Sequence, residues 1–161
     1  MNYDWQVTDN RNVELIVDFI MRYLGSRKGR LAPSEERYRL KINVESTIIH
    51  IIEEIRQQME HYFKANWMRG YSDKEFQQMV SHTFAIKFKK YSAVEFLMYS
   101  CRVCLLASFA FDKERKAPRI ATQYISEVVQ KYRLQKQFGD KSWTFMNAVL
   151  FHYLIDNNIL P

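Results

Sequence analysis

Turn formers are scarce in this chain: 161 residues hold 4 glycines and 3 prolines, against 15% aromatics. That balance disfavours a turn-rich β fold and favours helices. The length suits one domain, spanning 1–161, with a real hydrophobic core. Catalytic patterns are missing. The four histidines (His50, His61, His82, His152) lack paired zinc-ligand spacing. There is no glycine-rich phosphate loop and no Ser, His and acid set in a motif context. No enzyme, metal site or cofactor is therefore expected. The N-terminus MNYDWQVTDN is polar and acidic, unlike a secretory leader, and the chain ends Asn157-Asn158-Ile159-Leu160-Pro161 with no apolar tail. Membrane attachment is expected only by peripheral contact or through a segment absent here.

Both cysteines, Cys101 and Cys104, form a Cys-x-x-Cys. A redox motif needs a partly exposed helix N-terminus to lower the thiol pKa. These lie mid-run among apolar residues, so they read as small buried hydrophobes. Net charge is +6 and pI about 9.3, which permits contact with nucleic acid or anionic membrane. Yet the basic residues scatter over helix ends and connections: Arg27/Lys28/Arg30, Lys87/Lys89/Lys90, Lys113/Arg115/Lys116/Arg119 and Lys131/Arg133/Lys136. A nucleic-acid footprint gathers on one face, so no nucleic-acid partner is expected.

One stretch organises the rest. Ala93–Phe111 reads AVEFLMYSCRVCLLASFAF, with only Glu95 and Arg102 charged. As a helix it spans roughly 28 Å. A helix apolar nearly all round is a membrane span or a buried core helix. Two mid-helix charges and two serines favour the buried helix over the ~20 uninterrupted apolar residues of a span.

Around it the sequence predicts amphipathic helices. The first covers 10–24, capped by Asp9 or Asn10, with Val13, Ile16, Val17, Ile20 and Leu24 on one face and Gly25 ending it. After a loop at Ser26–Pro33, a helical pattern runs from Ser34 to about Asn66, bent near Asn43. Its stripe Val44, Ile48, Ile51, Ile52, Ile55, Met59, Tyr62 and Phe63 is broad, so part of it is a candidate groove wall. Ser72-x-x-Glu75 is a capping box opening a helix with Phe76, Met79, Val80, Phe84 and Phe88, broken at Lys89-Lys90-Tyr91. A helix at 118–137 points Ile120, Ala121, Tyr124, Ile125, Val128, Val129 and Tyr132 inward, with Gly139 as its terminator. The last starts at Lys141 or Ser142 and carries Trp143, Phe145, Met146, Val149, Leu150, Tyr153 and Leu154. The expected class is all-α: six to eight amphipathic helices around a hydrophobic central helix.

Two stretches carry a family likeness. Asn12-Val13-Glu14-Leu15-Ile16-Val17-Asp18-Phe19-Ile20, then Tyr23-Leu24, resembles the N-terminal homology motif of pro-survival Bcl-2 proteins, Arg-Glu-Leu-Val-x-Asp-Phe. Arg119-Ile120-Ala121 through Tyr132, then Gln135-x-Gln137-Phe138-Gly139 and Trp143-Thr144-Phe145, resembles the family's second homology motif. The likeness covers about residues 10–152. Short loops and strong divergence make the chain more similar to the Bcl-2 mimics of large DNA viruses than to animal members.

The resemblance implies a Bcl-2-like bundle that inhibits apoptosis. Its groove would take the amphipathic BH3 helix of a pro-apoptotic partner, in the host cytoplasm or at the mitochondrial outer-membrane surface. Carried over by position, Ile52, Ile55, Met59 and Phe63 form one wall, Met79, Thr83 and Phe84 the other, and Val94 and Tyr99 the floor. Two departures stand out. The family's Asn-Trp-Gly-Arg at the head of the central helix is replaced by Lys89-Lys90-Tyr91-Ser92, so Ser92 stands where an arginine pairs with the ligand's aspartate, and Glu95 repels it. Losing a desolvated ion pair costs several kcal/mol when it strands the partner charge, so a restricted partner range is expected. Ile48-x-x-x-Ile52-Glu53 replaces Leu-x-x-x-Gly-Asp, and Ile52 obstructs use of this segment as a ligand. A homodimer through exposed groove hydrophobics is a further expectation. The alternatives are a pro-apoptotic effector of the same fold and an RNA-binding helical regulator. The latter rests on Phe138-Gly139-Asp140 and Asn147-x-Val149-Leu150, which are similar to the antiterminator NusB family.

Overall fold

The computed structural model describes residues 4–25, 39–66, 73–84, 90–111 and 116–159. These form six helices: α1 (Asp4–Tyr23), α2 (Ile42–Asn66), α3 (Asp73–Phe84), α4 (Ala93–Ala110), α5 (Lys116–Leu134) and α6 (Asp140–Asp156). No strand occurs among the described residues, and the all-α bundle around a central apolar helix is what the composition predicts.

The apolar run becomes α4. It is the one described helix long and apolar enough to cross a membrane, but 11 of its 18 residues are buried by protein, which makes it a core helix. The other five helices all pack on it. Its start is set by Ser92, whose hydroxyl accepts the Glu95 N–H at 3.0 Å and satisfies one of the donors a helix leaves unpaired at its N-terminus. Thr47 and Ser100, polar but fully buried, return their hydroxyls to the carbonyls of Asn43 (2.7 Å) and Phe96 (2.9 Å).

Three boundaries differ from the sequence reading. The first helix starts at Asp4, so Asp9 is no cap: it sits inside α1, 2% exposed. The second helix starts at Ile42, where a bend was expected; its predicted beginning at Ser34 lies outside the described residues. That start is fixed from far away, because the Asn43 N–H donates to Asn147 Oδ1 at 2.9 Å and its carboxamide donates to the Asn147 carbonyl at 3.0 Å. The third concerns Gly139. Helix α5 is closed by Lys136, at φ 59°, with Lys136 N–H bonded to the Arg133 carbonyl (3.0 Å) and Gln137 N–H to that of Tyr132 (2.9 Å). This left-handed closure usually uses glycine. Gly139 instead caps α6, its N–H donating to Ser142 Oγ at 3.0 Å. At Gly25, φ 81°, the expected glycine stop of α1 is present.

Helix α3 is pinned by Phe76 and Val80. The Phe76 ring meets Phe111 at 5.4 Å and Tyr124 at 5.6 Å, edge-on, an arrangement favoured by ring quadrupoles. Helix α6 buries Met146, Leu150 and Leu154 but leaves Phe145 and Val149 53% and 52% exposed.

Candidate functional site

The two segments singled out around the head of the central helix come together. Tyr91, just before α4, donates its N–H to Gln137 Oε1 at 2.6 Å. The Tyr91 ring meets Tyr132 at 5.2 Å and Phe138 at 5.1 Å, while Trp143 meets Phe138 at 5.0 Å and Phe96 at 5.9 Å. Burial in this aromatic knot pushes the Tyr91 phenol up to about 12.

Beside the knot lies an ion-pair network. Asp9 accepts from Arg133 Nε (2.5 Å) and Nη2 (2.8 Å), and from Trp143 Nε1 (2.7 Å). Asp140 accepts from Arg133 Nη2 at 2.9 Å. The guanidinium lies over the rings of Trp5 (5.1 Å) and Phe138 (5.4 Å), and its hydrogen bond to Asp9 raises its pKa. A cation bonded to two carboxylates and held between two rings is committed to structure: it ties α1, α5 and α6 at one end of the bundle. Sequence reading placed Arg133 among solvated basic residues, and no local signal points to a partner 124 positions away.

The predicted groove residues divide into three groups. Ile52 (0% exposed), Ile55 (9%), Met59 (8%) and Tyr99 (4%) belong to the core in the free chain. Phe63 and Val94 are half-buried against the core, and Ser92 is exposed but occupied as the cap of α4. Met79, Thr83 and Phe84 fall in α3, with side chains outside the described residues. Tyr99 is buried, and burial first, then Glu127, Tyr124 and Tyr132 of α5, raise its phenol.

The open part of α4 is a different stripe. Val94, Met98, Arg102 and Phe109 are its half-exposed side chains on one arc, at steps of four, four and seven residues. Phe109 joins this arc to α2 through Phe63, ring to ring at 5.6 Å, and Phe63 follows Ile55 and Met59 at steps of four. Met98 and Arg102 were not singled out as site residues; the signal was present, since Arg102 is the one cation in the apolar run. Two cavities lie elsewhere. One, about 240 Å³, is lined by Arg11, Leu15, Arg39, Lys41, Val44 and Met146. The other, about 540 Å³, is lined by Trp5, Gln6, Gln130, Arg133, Leu134 and Phe138. Cys101 and Cys104 are unpaired and fully buried, and burial holds both thiols above their ordinary range. Among the described residues no three His, Cys, Asp or Glu gather as a metal would need.

Comparison of the chain with family models, curated proteins and solved structures gave no match.

Proposed function

We propose that the chain is an apoptosis inhibitor of pro-survival Bcl-2 type that captures the BH3 helix of a pro-apoptotic partner along α2 and α4. The observation carrying this reading is the half-exposed, largely apolar arc Val94–Met98–Arg102–Phe109 on a central helix of which 11 of 18 residues are buried. An amphipathic ligand helix presents anchors at the same spacing. The row Ile55, Met59 and Phe63 provides the adjoining wall, close enough to the surface in its last member to be reached without unfolding.

Electrostatics sets the register. Ser92 is used as a cap and Glu95 is exposed one turn on, so the head of α4 disfavours the ligand aspartate. Arg102, the one cation on this arc, lies ten residues beyond Ser92, about 15 Å at the helical rise; it already has an interaction within the chain, which the ligand carboxylate would replace. The ligand is accordingly seated toward the C-terminal half of α4, which narrows the partner range. Such a protein acts in the host cytoplasm, at the mitochondrial surface where its ligands gather.

Titration calorimetry with a panel of BH3 peptides tests this. Selective submicromolar binding is expected, abolished by Met98→Glu and weakened at least tenfold by Arg102→Glu, with helix content unchanged. Met98 is preferred to Ile55 because it is part-exposed and tolerates a charge with less risk to folding. Absence of binding to every peptide, or binding indifferent to both substitutions, refutes the reading.

A further inference from the structure

Helix α6 is apolar on both sides. Its inner row is Met146, Leu150 and Leu154, while Phe145 (53% exposed), Val149 (52%), Phe151 (45%) and Ile155 (41%) stand outward. A helix apolar all round is normally covered all round. What covers the outer face is indicated by the order of its residues. Lys141, Phe145, Ala148, Val149, His152 and Asp156 are all exposed, and at 3.6 residues per turn they fall on an arc of about 100°. They are also symmetric about the midpoint between Ala148 and Val149. Residues 141 and 156 lie equally far from it, as do 145 and 152.

We propose that this face is the two-fold interface of a homodimer, with α6 packed antiparallel on α6 of a second copy. In that arrangement Lys141 meets Asp156 of the second copy, Phe145 meets its His152, and small Ala148 meets its Val149. A two-fold interface must be self-complementary, and here both charge and volume are. Neither Lys141 nor Asp156 has an ion-pair partner among the described residues, so both are available. The helix is about 26 Å long and gives less than the ~800 Å² per partner of a standard stable interface. The dimer therefore exchanges with monomer as concentration changes. The interface uses the outward side of α6 and does not depend on the α2/α4 reading.

Sedimentation equilibrium of the full chain over a wide concentration range is the test. The mass is expected to rise from 19.4 kDa toward twice that value. Phe145→Glu with Val149→Glu should hold the chain monomeric at every concentration, with unchanged circular dichroism. Lys141→Glu alone should raise the dissociation constant at least tenfold, and adding Asp156→Lys should restore it. A wild-type monomer throughout overturns the proposal, as does a dimer indifferent to the Phe145/Val149 variant. Failure of the charge swap to restore association overturns the antiparallel register. A monomer that instead co-sediments with phosphatidylcholine vesicles assigns the face to lipid.

Discussion

Replacing Asp9 by alanine separates two accounts of the first helix. If Asp9 were a solvated N-cap, its loss would cost about 1 kcal/mol and would not depend on distant residues. In the fold, its carboxylate is 2% exposed and accepts from Arg133 twice and from Trp143 once. Removing one member of a buried pair costs about 3–5 kcal/mol, and an indole N–H left unbonded adds to it. Arg133 keeps Asp140, whose side chain is 79% exposed, and a surface pair recovers at most about 1 kcal/mol. The expected loss is about 3 kcal/mol, near the low end. For a domain of this size that lowers Tm by roughly 6–12 °C. The assay is thermal and urea unfolding of Asp9→Ala, Arg133→Ala and the double variant. The cycle should show coupling above about 1.5 kcal/mol. A loss near 1 kcal/mol with additive singles would refute the network.

Other substitutions test local features. Lys136→Gly should raise stability by about 1 kcal/mol in urea unfolding, because a left-handed backbone at φ 59° strains any side chain with a Cβ. Asn147→Ala strands the Asn43 N–H, whose acceptor is the Asn147 side chain, while the Asn43 carboxamide keeps the Asn147 backbone carbonyl; it should cost about 1–2 kcal/mol and fray the start of α2 in hydrogen exchange. The buried phenols give a pH test. Tyr91 is raised from 10.0 to about 12, with Tyr99 and Tyr132 raised too, by burial first in each case. Above pH 10 the unfolded chain therefore holds fewer protons than the folded one, so stability is fully present below pH 10 and falls as pH rises toward 12. Phenolate absorbance should show a late-titrating fraction that merges with the rest in urea. Ionisation of all ten tyrosines near pH 10 in the folded chain would contradict this.

The legible parts of the fold were those written in local pattern. Helix α4 was read to within a residue because its apolar run ends abruptly in charge, and Gly25 was read because a glycine past the last periodic residue has one common use. The boundaries that failed depend on partners remote in sequence: Asp9 on Arg133, and Asn43 on Asn147, 104 positions apart. Gly139 was read as a stop because lysine rarely takes that backbone conformation, and Lys136 does. In α6, Phe145 and Val149 could not be assigned a side from periodicity, since apolar residues occupy both faces; only the packed neighbours fix the phase. The candidate groove was half legible. The α2 stripe was visible in the sequence, but core packing accounts for it as far as Met59 and leaves only its end, at Phe63, half-buried; on α4 the single cation Arg102 marked the arc, whose extent follows only from burial.

The two free thiols of α4 have a use beyond filling space. With Cys101 and Cys104 both at 0% exposure, a thiol reagent reaches them only when the central helix parts from its neighbours. Their alkylation rate is thus a clock for core opening. Read with and without a bound peptide, it separates a ligand that seats on the half-exposed arc of α4, leaving the clock unchanged, from one that pries the bundle apart and speeds it.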